Sequence, residues 1–282
     1  MIDTAEIEHN AAHMRQDILK MITLAGSGHP GGSLSAVDIC AVLFFGGVLR
    51  YRPDEPDWEG RDRFILSKGH AAPVLYAALA RAGYFEVAEL ATLRKFGSRL
   101  QGHPDSQKLP GVEVATGSLG QGLSIAVGMA YGLAVSEKGQ QRVYALLGDG
   151  ELQEGQIWEA AMFAAYKKLG NIIAIIDNNN LQIDGSLDEV VSLGDIAAKF
   201  TAFGWKTLEV DGHDIAGLKQ VFDQASTCQN APCAIIAHTV KGKGINFMEG
   251  QCGWHGKAPS DEQCDDALKE LATSCASQEV TR

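Results

Sequence analysis

VYALLGDGELQEGQIWEAAMFAAYKKLGNIIAIIDNNNLQ, residues 143–182, decides how the fold reads. Val143–Leu147 is a short aliphatic run that stops at Gly148-Asp149-Gly150. Residues 155–168 have the length and apolar spacing of a helix. Ile172–Ile176 is a second aliphatic run, and it stops at Asp177-Asn178-Asn179-Asn180. Strand, polar loop, helix, strand is the repeating unit of a parallel sheet.

The same unit recurs on either side. Phe64–Leu66 runs into Ser67-Lys68-Gly69-His70, Thr207–Val210 into Asp211-Gly212-His213, and Ala234–Thr239 into Lys241-Gly242-Lys243-Gly244. Helix-length stretches at 72–82, 121–137, 194–203 and 214–226 separate the runs. Upstream, residues 5–23 carry apolar residues at helical spacing. Ser33–Val48 reads as one buried helix with Ser33 or Ser35 near its start. The expected fold is α/β, a mostly parallel sheet with helices on both faces. In such sheets ligands bind beyond the carboxyl ends of the strands, where all the polar loops just named fall. Residues 1–258 read as one domain, and 259–282 as a short acidic helix at 261–272 followed by a loose tail.

Composition narrows the function. The chain has 282 residues, 45% hydrophobic and 21% charged, enough apolar material for a large core. Its formal net charge of −11 argues against nucleic-acid binding, which needs a basic face. No apolar run reaches the length of a membrane span, and residues 1–20 lack the apolar core of a signal peptide. The six cysteines show no C-x-x-C pair or zinc spacing and read as reduced thiols. The expected location is the cytoplasm.

Asp149 and Asn179 lie thirty residues apart, each at the end of a strand, with one helix and one strand between them. A diphosphate held in a cleft needs charge compensation, and a hard divalent cation with oxygen ligands supplies it. Asp149 offers a carboxylate, Asn179 an amide oxygen without further charge, and Leu181 a backbone carbonyl. Gly150, lacking a Cβ, lets its N–H approach a phosphate oxygen, and the helix that follows turns its positive end the same way. An acidic protein can therefore hold an anion through a metal and oriented N–H groups.

This Gly-Asp-Gly…Asn spacing resembles the thiamine-diphosphate fingerprint. Residues 148–185 together with SGHPGG (27–32), LSKGHA (66–71), GHPD (102–105) and LPGVEVATGSLGQGLSIAVGMA (109–130) resemble the transketolase family from about residue 10 to 258. The resemblance implies Mg²⁺ at Asp149, Asn179 and Leu181, with Ca²⁺ or Mn²⁺ as alternatives. It implies thiamine diphosphate contacts from His70, Gly117, Leu119, Gly150, Asp177, Asn179 and His255. His29 and His103 would act on the sugar, and Glu154 would join a carboxylate network at a subunit interface. Histidine titrates in the range that hydroxyl proton transfer needs, and His29, His70 and His103 sit in glycine-containing loops that bury little. His213, His238, His9 and His13 read as structural. Lys241 and Lys243 are divided between a phosphate cover and a solvated turn. Glu151 is open between support of the metal loop and a helix N-terminus. The chain departs from the family pattern at Asn178 and at Lys68, changes expected to affect fine tuning only.

In the family, the glutamate that activates the cofactor and the arginines that hold a sugar phosphate come later than this sequence runs. The expectation is therefore an N-terminal subunit of a split transketolase. It would be inactive alone, joined to a second chain with the pyrimidine-binding domain, and assembled as an α2β2 heterotetramer. Together the chains would transfer a two-carbon ketol unit from a ketose to an aldose. Competing readings are a non-catalytic scaffold or regulatory paralogue, a different thiamine-diphosphate reaction such as 1-deoxyxylulose-phosphate synthesis or 2-oxo-acid decarboxylation, and a plain nucleotide-binding module. The donor and acceptor sugars, and whether they are phosphorylated, are not readable here.

Overall fold

Alternating apolar residues on the strands must be covered on two sides, and the chain does so in three layers. The structure, a computed structural model, describes residues 4–136 and 140–280. In chain order the main elements are α1 (Thr4–Ala25), α2 (Pro30–Ser35), α3 (Val37–Phe45), β1 (Arg63–Leu66), α4 (Ala72–Arg81) and α5 (Gln121–Val135). Then follow β2 (Val143–Gly148), α6 (Gly155–Tyr166), β3 (Ile172–Asn178), α7 (Leu187–Val190), α8 (Ile196–Ala202), β4 (Lys206–Asp211), α9 (Ile215–Ser226), β5 (Cys233–His238) and α10 (Asp261–Val280). Among the described residues all strand pairs are parallel, in the order β1-β2-β3-β5-β4.

Successive strand residues point to opposite faces. Tyr144, Leu146, Ile173, Ile175 and Ile235 pack with α1, α3, α4 and α9. Val143, Ala145, Leu147, Ile172, Ala174 and Ile176 pack with α5, α6 and α8. Full burial of one such isoleucine or leucine is worth roughly 1.5–3 kcal/mol, so these two apolar layers hold the sheet rigid beneath its loops.

The five strands lie where the aliphatic runs predict, within two residues at either end. Two expectations need correction. Ser33–Val48 is not one helix, because α2 ends at Ser35, Ala36 interrupts with ψ near 0°, and α3 begins at Val37. The short helix expected to end at 272 continues to Val280 as α10, and Cys264, Ala267 and Leu271 anchor it in the main core. Cys40, Cys228, Cys233, Cys252 and Cys264 are free thiols, while the Cys275 side chain lies outside the described residues. No helix among the described residues is long and apolar enough to cross a membrane.

Candidate active site

The register of β2 on β3 sets Gly148 opposite Asp177, so both strands end at the same level. Asp149 follows immediately and is only 2% exposed. Its Oδ1 accepts the Gly150 N–H at 2.7 Å and its Oδ2 accepts the Asn180 N–H. Burial, reinforced by the neighbouring Asp177 charge, pushes the Asp149 carboxyl up to about 6 despite these two bonds. A carboxylate in that condition gains from a cation beside it.

Asp177 is fully buried, at 0% exposure, and its carboxylate is spent inside the protein. It accepts from Lys68 Nζ, Ser35 Oγ, Thr239 Oγ1 and Asn179 Nδ2. Burial opposes its ionisation, but Lys68 and the hydroxyl donors outweigh that and lower its pKa. Lys68 is 1% exposed and also donates to the Gly32 carbonyl at 2.7 Å. The Lys-for-Asn departure expected to be minor is therefore half of a buried ion pair between the ends of β1 and β3.

Beyond β3 the chain turns through Asn180, which has a positive φ of 59°. Asn179 Oδ1 accepts the Leu181 N–H at 3.2 Å. The Leu181 carbonyl accepts from Lys241 Nζ at 3.1 Å, and the same ammonium lies 2.9 Å from His255 Nδ1. Lys241 is 2% exposed, and burial together with the Lys68 charge brings it down to about 8. It belongs to the site and not to a solvated turn.

Four histidines converge on this point. Pro30 opens α2, where its missing N–H is harmless, and leaves His29 as the preceding residue. Ring centroids of His29 lie 5.4 Å from His70, 5.4 Å from His255 and 6.4 Å from His103, and His70 is 5.1 Å from His255. Burial brings His29 down to about 4 and His255 to about 3, helped by Arg94 and Lys241 respectively, and holds His70 well below its ordinary value. His103 is more exposed and lowered by burial and Arg94. In all four rings burial is the largest influence, and it favours the uncharged form.

A cavity of about 470 Å³ joins these parts, lined by His29, His70, Gly117, Leu119, Asp149, Gly150, Asn179, Leu181, Lys241 and His255, among others. Gly117 has φ 132°, and a Cβ there would sit 2.8 Å from the His103 ring, so only glycine fits. Glu151 serves both the metal loop, at Gly148, and a helix N-terminus, at Gly120. Its two oxygens accept from Ser67 Oγ and the Gly120 and Gly148 N–H groups, clipping the ends of β1 and β2 to the start of α5. Asp177, His103 and Glu154 do not line the cavity. Glu154 is exposed at the start of α6, beside Gly120.

The family model described as "Transketolase, thiamine diphosphate binding domain" matches residues 8–279. The chain belongs to the transketolase family. It is 42% identical over 266 residues to the 6-deoxy-6-sulfo-D-fructose transketolase subunit SqwG of Clostridium sp. (strain MSTE9), covering 94% of this chain and 96% of that one. It is 41% identical over 271 residues to an apulose-4-phosphate transketolase subunit of Phocaeicola vulgatus, covering 96% and 95%. The human transketolase is 44% identical over 272 residues, but the match spans only 43% of its length. The crystal structure of Campylobacter jejuni transketolase superposes with a TM-score of 0.88 at 34% identity, covering 96% of this chain and 43% of that one. The chain thus spans less than half of those longer transketolases.

Among the described residues the cavity holds polar groups that would be costly to leave empty-handed. His29 Nδ1, Gln182 Nε2 and Thr116 Oγ1 are buried without hydrogen-bond partners in or beside the cavity, which suits a polar ligand there. Among the described residues no group of three or more His, Cys, Asp or Glu side chains could hold a metal. A cation here would depend on one carboxylate plus amide and carbonyl oxygens, the donor set of a hard ion. Lys68, Lys241 and Glu151 also line the cavity, and Ser35 bonds Asp177 beneath it. The sequence leaves the roles of Lys241 and Glu151 undecided, marks Lys68 only as a departure and Ser35 only as a helix start, because their partners are distant in the chain.

Proposed function

We propose that this chain is the diphosphate-side subunit of a two-chain transketolase that moves a two-carbon ketol unit from a ketose donor to an aldose acceptor. The observation that carries this reading is that the chain matches, nearly end to end, two proteins each named as a transketolase subunit. A second polypeptide with the pyrimidine-binding domain would complete the site, as an α2β2 assembly in the cytoplasm. The apulose-4-phosphate and sulfofructose names of those relatives suggest a specialised sugar as substrate.

In this reading Asp149, Asn179 and the Leu181 carbonyl hold Mg²⁺, with Ca²⁺ or Mn²⁺ as substitutes. His70, His255, Lys241 and the Gly150 N–H face the diphosphate, while Gly117 and Leu119 meet the pyrimidine through backbone atoms. Asp177, neutralised by Lys68, braces the strand end below the ring. Thiamine diphosphate, when bound, supplies the carbanion chemistry. The protein supplies proton transfer. His29 and His103, whose burial favours the uncharged ring, accept a hydroxyl proton from the donor sugar and return one to the product. Glu154 is exposed where a second chain can engage it.

The test is a calorimetric titration of thiamine diphosphate with Mg²⁺ into the purified chain, by itself and with the second polypeptide. Tight, metal-dependent binding in the mixture that disappears with Asp149→Ala is the expected result. No binding in either sample would overturn the enzyme reading in favour of a scaffold.

A further inference from the structure

His213 lies outside the cavity, yet its ring bonds the backbone one residue before Lys241, which lines it. Asp38 on α3 is 6% exposed and receives three bonds. Arg15 of α1 makes two parallel contacts, Nη1 to Oδ1 at 3.0 Å and Nη2 to Oδ2 at 2.6 Å. His213, in the loop after β4, places Nδ1 2.7 Å from Oδ2. Its other ring nitrogen, Nε2, accepts the Val240 N–H at 2.9 Å. A nitrogen that accepts carries no proton, so the proton sits on Nδ1 and is donated to Asp38. Asp38 therefore sets both the orientation and the tautomer of the ring.

The second arm is Arg15, whose Nε donates to the Lys243 carbonyl at 3.3 Å. One carboxylate thus organises two groups that grip the chain on both sides of Lys241, at Val240 and at Lys243. Lys241 itself is tightly routed. A Cβ on Gly31 would lie 3.0 Å from its Cγ and 3.2 Å from its Cε, and its Nζ reaches Leu181 and His255. A long side chain aimed through so narrow a passage depends on where its backbone is held.

We propose that His213, oriented by Asp38 and Arg15, is a positioning residue that presents the Lys241 ammonium to the diphosphate. This rests on the reading of the cavity as a thiamine-diphosphate site.

The experiment uses the full chain and inorganic pyrophosphate with Mg²⁺ as the probe, read by calorimetry and by intrinsic tryptophan fluorescence. His213→Phe removes both bonds. Weakening by about ten- to a hundredfold is expected from the loss of one charge-assisted contact. His213→Gln, which keeps a donor and an acceptor, restores part of the affinity. His213→Phe in a Lys241→Met background costs nothing further, because the ammonium it positions is gone. Hydrogen exchange at the Val240 amide rises in His213→Phe while core amides stay protected. Overturning results are distinct. Additive losses in the double variant, or full affinity in His213→Phe, sink the positioning role alone. Failure of the unmodified chain to bind pyrophosphate, both by itself and with the second polypeptide, sinks both this role and the cofactor reading.

Discussion

Lys68 and Asp177 bury opposite charges at the ends of β1 and β3, and each is costly without the other. Removing one partner of such a pair costs about 3–5 kcal/mol. Lys68→Met is expected to lower the melting temperature by roughly 10 °C, measured by calorimetry. The Lys68→Met, Asp177→Asn double variant should be less damaged than the two single losses summed, and strict additivity would show that the charges do not depend on one another. Asp38 makes a pH prediction of its own. Arg15 and His213 overcome its burial and hold it at about 2, against an ordinary 3.8. A carboxyl depressed on folding adds stability above its unfolded value and loses it as pH falls through the folded one. The contribution is on the order of 2 kcal/mol. Urea unfolding of the chain and of Asp38→Asn should therefore converge by about that amount between about pH 6 and about pH 2.5. A gap that stays constant would refute the assigned cause.

Elements meet at the site through Glu151, which joins two strand ends to the start of α5. Glu151→Ala leaves the Gly120 and Gly148 N–H groups without their acceptor, at about 1–3 kcal/mol each. Chemical denaturation should show a loss of that order, whereas Glu151→Gln, retaining one oxygen, should lose less. Equal losses would mean that shape and not hydrogen bonding matters here. The strand ends are legible in the sequence because aliphatic runs stop abruptly at Gly, Asp and Asn, and the Asp149–Asn179 spacing needs only one helix and one strand. The break at Ala36 is not legible. No glycine or proline marks it, and Ser35 Oγ, just before it, is committed to Asp177, 142 residues away. The full length of α10 is hidden for the opposite reason, since polar residues after 272 carry no stop signal. His213 and Lys68 look ordinary in the sequence because their partners lie on other elements, and Glu151 offers two equal local readings. Proximity of His29, His70, His103 and His255 follows from the family resemblance. Nothing in their spacing alone requires it.

At the scale of the whole molecule, α5 and α6 present an apolar surface to the outside. Tyr131, Val135, Met162, Phe163 and Tyr166 are exposed, the Tyr131 and Phe163 rings meet edge to face at 5.7 Å, and Lys167 lies over three of the rings. Contiguous exposed aromatics suit an assembled complex. Phe163→Glu with Tyr166→Glu should reduce the mass of the complex formed with the second polypeptide in light scattering and leave the chain's own melting within a few degrees. An unchanged mass would place the contact elsewhere. The sheet has a different kind of open boundary. Among the described residues β4 and β1 each pair on one side only, and an unpaired strand edge is a template on which another molecule can polymerise. Here β1 is four residues long, while β4 carries exposed Lys206, Glu209 and Asp211. A crowded solution of this chain is thereby kept from growing strand upon strand, and the charge along β4 that does nothing for the chemistry serves as its gatekeeper against fibres.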